Sequence, residues 1–61
     1  MTQTIQITVN NQSFKTSVIY YLSDNGFKYG IDYRLGISPD NNHISAYTMN
    51  KKEKLFDFEQ K

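Results

Sequence analysis

Ser38, Asp40 and His43 lie close together in the chain and supply a hydroxyl, a carboxylate and an imidazole. Acyl-transfer chemistry needs those three groups, but arranged around an oxyanion site, which one tight turn does not provide. His43 is the only histidine and there is no cysteine, so a multi-histidine or thiolate metal site is excluded. The acidic residues carry no metal-ligand spacing either. Asp32 and Asp57 could serve as acid and base, yet no apolar pocket is evident around either, and solvated carboxylates are the expectation. Gly26, Gly30 and Gly36 do not form a phosphate-cradling loop, because no helix start follows them. The reading is a protein without catalysis, cofactor or small-molecule substrate.

A different set of side chains fits a contact surface. Tyr21, Arg34, Tyr47 and Met49 are types enriched in protein interfaces, and Lys28 and Lys15 would stand at the rim of the same patch. The sequence reading therefore expects a protein partner or self-association. Its alternative is a single-stranded nucleic-acid binder, with Tyr21 and Tyr47 stacking on bases while Lys15, Lys28 and Arg34 meet phosphates. Against that alternative stand a net charge of only +1 and Asp32 in the middle of the patch. A third reading buries the patch under the C-terminal segment, with Leu55 and Phe56 packed on Tyr47 and Met49.

The elements that must position these residues are read from alternation. From Phe27 to Ile37, odd positions are apolar or aromatic and even positions are small or charged, as in a strand with one committed face. With Asn25-Gly26 as a hairpin turn, Leu22 would face Tyr29 and Phe14 would face Ile37, and Tyr21 would cover Gly30. A loop at Pro39–Asn42 pairs Ile37 with Ile44, Leu35 with Ala46 and Arg34 with Tyr47. Asn10-Asn11 as a turn would bring Ile7 opposite Phe14. The tail is open: a strand after Lys51–Glu53 placing Phe56 and Phe58 beside Thr48 and Ala46, or a helix capped by Asn50.

A competing reading makes residues 14–25 a helix, with Phe14, Val18 and Leu22 on one face and Gly26 as a left-handed stop ahead of Phe27. The β-branched and aromatic run Thr16, Val18, Ile19, Tyr20, Tyr21 favours the strand. The sequence GFKYGIDY, Gly26–Tyr33, resembles segments of phage antirepressor proteins over those positions, and this fits the helical version. The expected fold is a small, mostly β domain spanning residues 1–61. Its four or five antiparallel strands would form a meander, sandwich or partly open barrel, with an α+β domain as the alternative.

Size constrains what such a domain can do. A 61-residue chain buries only about 60% of its unfolded surface, and without cysteines it has packing or association alone to rely on. The start MTQTIQITVN has no basic segment followed by an apolar run, and no later stretch reaches membrane-span length. A cytoplasmic location is expected. Asn, Lys, Ile, Tyr and Phe, whose codons are AT-rich, make up 27 of the 61 residues. That composition points to a low-GC bacterium or phage, and the functional expectation is an inhibitor or regulator.

Overall fold

The computed structural model describes residues 3–9 and 13–61. Four strands, β1 (Gln3–Ile7), β2 (Arg34–Ile37), β3 (His43–Tyr47) and β4 (Lys54–Gln60), form one open mixed sheet, and α1 (Phe14–Asp24) packs on it. The order across the sheet is β1-β4-β3-β2. Strands β2, β3 and β4 make an antiparallel meander, while β1 runs parallel to β4. The mostly β expectation therefore holds, with the sheet open rather than closed.

Residues 14–24 are helical, which corrects the hairpin and supports the alternative reading. Ser13 caps the start: its backbone is extended and its hydroxyl accepts from the Thr16 N–H at 3.1 Å. The end is a Schellman motif, in which Phe27 N–H donates to Leu22 O at 2.9 Å and Gly26 N–H donates to Ser23 O at 3.1 Å. Gly26 sits at φ +89, where a side chain would be strained. Asn25-Gly26 thus serves as a helix stop and not as a hairpin turn.

Magnitudes explain why the helix prevails over local preference. The β-branched and aromatic residues each cost at most about 0.7 kcal/mol in a helix. Phe14, Val18 and Leu22 are buried along one helical stripe, each stabilising by about 1.5–3 kcal/mol. Tertiary packing wins. They join Tyr33, Ile44, Ala46 and Phe58 as the core, which Ile5, Phe27, Leu35 and Phe56 flank.

The helix also decides the sheet order. By returning the chain it lets β2 run in the same direction as β1, and β3 and β4 fill the space between them. Ile5 therefore opposes Phe58, and the Ile7–Phe14 pairing does not occur. The proposed Asn10-Asn11 turn lies outside the described residues. In the β2–β3 hairpin, Arg34 opposes Tyr47, Leu35 opposes Ala46 and Ile37 opposes Ile44, as the loop at Pro39–Asn42 requires.

The tail is a strand, so Asn50 is no helix cap. Its carboxamide oxygen instead accepts from Lys52 N–H and the Thr48 hydroxyl inside the β3–β4 turn. Phe56 and Phe58 oppose Ala46 and Ile44, a register two residues from the expected one, with an irregularity at Ala46/Tyr47.

Candidate interaction surface

The register divides the sheet into two faces. Ile5, Leu35, Ile44, Ala46, Phe56 and Phe58 share the face under α1. The opposite face carries Thr4 and Gln6 from β1, Asp57 and Glu59 from β4, His43, Ser45 and Tyr47 from β3, and Arg34 and Gly36 from β2. Its centre is held by the Ser45 hydroxyl donating to Asp57 at 3.1 Å. Because β4 lies within the sheet and Phe56 packs edge-on against Phe27 at 5.5 Å on the helix side, Phe56 does not cover Tyr47 and Met49.

The six residues expected in one patch fall in three places. Lys15 and Tyr21 are on α1, and Tyr21 meets Phe58 edge-to-face at 5.6 Å, so it contributes to packing and shares no face with Tyr47. Tyr47 lies on the open face with its ring edge 3.1 Å from where a Gly36 Cβ would be. The aromatic cover of a strand glycine exists, then, but as Tyr47 over Gly36 and not as Tyr21 over Gly30. Lys28 is in the loop after the helix, and its exposed position adjoins the third place without lining it.

Arg34 and Met49 come together. With Tyr29, Gly30, Tyr33, Leu35 and Lys51 they line a half-open depression of about 320 Å³ between the Lys28–Tyr33 loop and the β3–β4 turn. Both walls are built by backbone geometry. On one side Lys28 O accepts from Asp32 N–H at 2.8 Å, Lys28 N–H donates to the Asp32 carboxylate at 2.8 Å, and Gly30, at φ +79, donates to Tyr33 O at 3.0 Å. On the other, Lys51 N–H donates to Thr48 O at 2.8 Å with Lys51 at φ 61, and Thr48 N–H donates to Glu53 O.

These turns hold apolar groups out in water. Ile31 is 70% exposed, Tyr29 52% and Met49 41%. Arg34 and Lys51 put two cations in the lining and, among the described residues, no acidic side chain belongs to it, Asp32 being turned onto the Lys28 amide. An anionic group is favoured there. Beneath, Tyr33 is buried with its hydroxyl lacking a hydrogen-bond partner among the described residues, and Tyr29 meets it edge-on at 5.6 Å. Burial, and secondarily the neighbouring Tyr29, pushes the Tyr33 phenol above its ordinary pKa.

Tyr29, Ile31 and Lys51 were missed by sequence reading because the alternation from Phe27 placed the first two on a core-facing strand. Gly30 in the middle of that run was the available signal of a turn.

The remaining chemical candidates serve the backbone. Ser38 donates its hydroxyl to Asp40 at 2.5 Å and accepts from His43 N–H at 3.0 Å, and Asp40 also accepts from Asn42 N–H. The Ser38 hydrogen bond, with the Asn42 N–H after it, holds the Asp40 carboxyl below its ordinary value. These residues close the β2–β3 turn. Among the described residues no group of three or more metal-ligating side chains gathers, and no helix is long and apolar enough to cross a membrane.

No protein-family model matches this chain, and neither the curated proteins nor the solved structures contain a significant match to it.

Proposed function

We propose that this chain is a non-catalytic binding module that works through a protein–protein interface, an inhibitor or regulator in the cytoplasm of a low-GC bacterium or in its phage. The observation that carries the reading is the convergence of exposed Tyr29 and Met49 with Arg34 and Lys51 around one depression, with exposed Ile31 on the same Lys28–Tyr33 loop. A chain this small has little apolar area to spare from its core, and here hydrogen-bonded turns hold three large apolar side chains outward. Aromatic, Met and Arg side chains framing a partly apolar recess match the anchors of interface hot spots. Arg34 and Met49 are retained from the sequence reading; Tyr21 and Lys15 are replaced by Tyr29 and Ile31.

The nucleic-acid alternative is weakened by geometry, since its two stacking tyrosines lie on different elements and different faces. Capture experiments test the main reading. Immobilised wild-type chain and an Arg34→Glu, Met49→Lys double variant are presented to lysate of the host. Loss of the recovered proteins with the variant is the expected result. Recovery of the same proteins by both would overturn the assignment of this surface.

A further inference from the structure

Strand β2 is an edge of the sheet, and its outward hydrogen-bonding groups can be identified. Ser38 N–H donates to His43 O at 2.9 Å on the β3 side, so Arg34, Gly36 and Ser38 turn their backbone groups toward β3. Tyr33, Leu35 and Ile37 turn theirs outward. Tyr33 O is taken by Gly30 N–H at 3.0 Å, where the Lys28–Tyr33 loop closes on the edge. That leaves the amides and carbonyls of Leu35 and Ile37 on an edge that carries neither Lys nor Pro within the strand.

This edge is complementary to itself. Antiparallel pairing about a two-fold axis at Gly36 sets Leu35 against the second copy's Ile37 and Ile37 against the second copy's Leu35, so both outward pairs are used. The same register sets Arg34 against the second copy's Ser38, on the same face. Asp40 is bonded to the Ser38 hydroxyl, which puts its carboxylate within the reach of an arginine side chain on the neighbouring strand. Tyr33 is bridged on that side by its own Tyr29, so the strand pairing ends at Arg34 and the second copy's Ser38, and beyond it the Ser38–Asp40 turn meets the depression lined by Tyr29, Arg34, Met49 and Lys51. An exposed turn with one carboxylate meets a recess with two cations, and symmetry makes the contact twice.

We propose that the occupant of the depression is the Ser38–Asp40 turn of a second copy of this chain, bound by β2-to-β2 pairing into one eight-stranded sheet. The inference rests on reading this surface as a protein interface, and it names the partner. It also accounts for Ile37, 44% exposed on the helix side of the edge strand, which the pairing would cover.

Sedimentation velocity from about 10 µM to about 1 mM, with amide exchange followed by NMR at both ends of the series, tests it. The expected mass rises to that of two chains, and the Leu35 and Ile37 amides slow about ten-fold across the series while the Gly36 amide, already bonded to β3, does not change. Arg34→Asp, which sets a carboxylate against Asp40, is expected to weaken association at least about ten-fold. A chain that stays monomeric throughout overturns the inference. So does a dimer whose Leu35 and Ile37 amides stay fast, or one indifferent to Arg34→Asp. If the chain is monomeric but Arg34→Asp still abolishes capture of another protein, the interface reading stands and the second copy falls. If neither responds, both fall.

Discussion

The buried hydroxyl of Tyr33 gives a quantitative test of how the core beneath the depression is built. Tyr33 is 1% exposed, and no described residue offers its hydroxyl a hydrogen bond. An unpaired buried polar group costs about 1–3 kcal/mol, whereas deleting one oxygen forfeits packing worth roughly 1 kcal/mol at most. Tyr33→Phe is therefore expected to be neutral or to stabilise by up to about 2 kcal/mol. For a domain whose whole stability is on the order of 3–9 kcal/mol, each kcal/mol moves Tm by about 4–8 °C.

The pH dependence supplies an independent readout. Because burial raises the phenol's pKa, the folded state favours the neutral form. That contribution is fully present below the ordinary tyrosine value near 10 and is lost as pH rises from there through the raised folded value. Thermal and urea unfolding of wild type and Tyr33→Phe, followed by circular dichroism between about pH 7 and pH 11, would show the variant losing less stability at the alkaline end. A variant less stable than wild type by more than about 1 kcal/mol, with the same alkaline slope, would refute the reasoning and mean that the hydroxyl is satisfied.

Further expectations concern the elements that place the surface. Gly26→Ala forces a side chain into the left-handed region and should cost about 1–2 kcal/mol by urea denaturation, and no loss would contradict the Schellman stop. Ser13→Ala removes the helix cap and should cost about 1 kcal/mol, restored in large part by Ser13→Asp. Asp40 is held below its ordinary value by the Ser38 hydroxyl and the Asn42 N–H, so its contribution to the turn is present above about pH 4 and is lost as pH falls through the folded value. Exchange of the Asn42 amide should accelerate in that acidic window in wild type but not in Asp40→Asn. Labelled single-stranded oligonucleotide should fail to bind even at low salt, and binding that weakens steeply as salt rises would revive the phosphate-contact alternative.

The parts legible from sequence are those fixed by short-range rules. Pro39–Asn42 between two alternating stretches implied a hairpin, and Arg34 opposite Tyr47, Leu35 opposite Ala46 and Ile37 opposite Ile44 followed from loop length alone. The helix was harder, because Asn25-Gly26 fits a hairpin and a helix stop equally, and the β-branched run pulled the reading toward a strand. Ser13 directly before Phe14 was the local signal that favoured the helix.

The parallel β1–β4 pairing had no local signature at all, since it joins the two ends of the chain across everything between them. Arg34 and Met49 were found because side-chain type alone marks interface residues. Tyr29 and Ile31 were not, because a turn that repeats the spacing of a strand hides which way its side chains face.

The central claim, that this domain meets its partner along the Lys28–Tyr33 loop and the β2 edge, is tested most directly by locating protection on the chain itself. Hydrogen exchange read by mass spectrometry would be compared between dilute chain and the associated state, whichever protein it associates with. Slowed exchange in peptides covering residues 28–37 and 48–53, with the α1 peptide covering residues 14–24 unchanged, is the expected result. Protection confined to α1, with residues 28–37 exchanging as they do in dilute chain, would contradict the account.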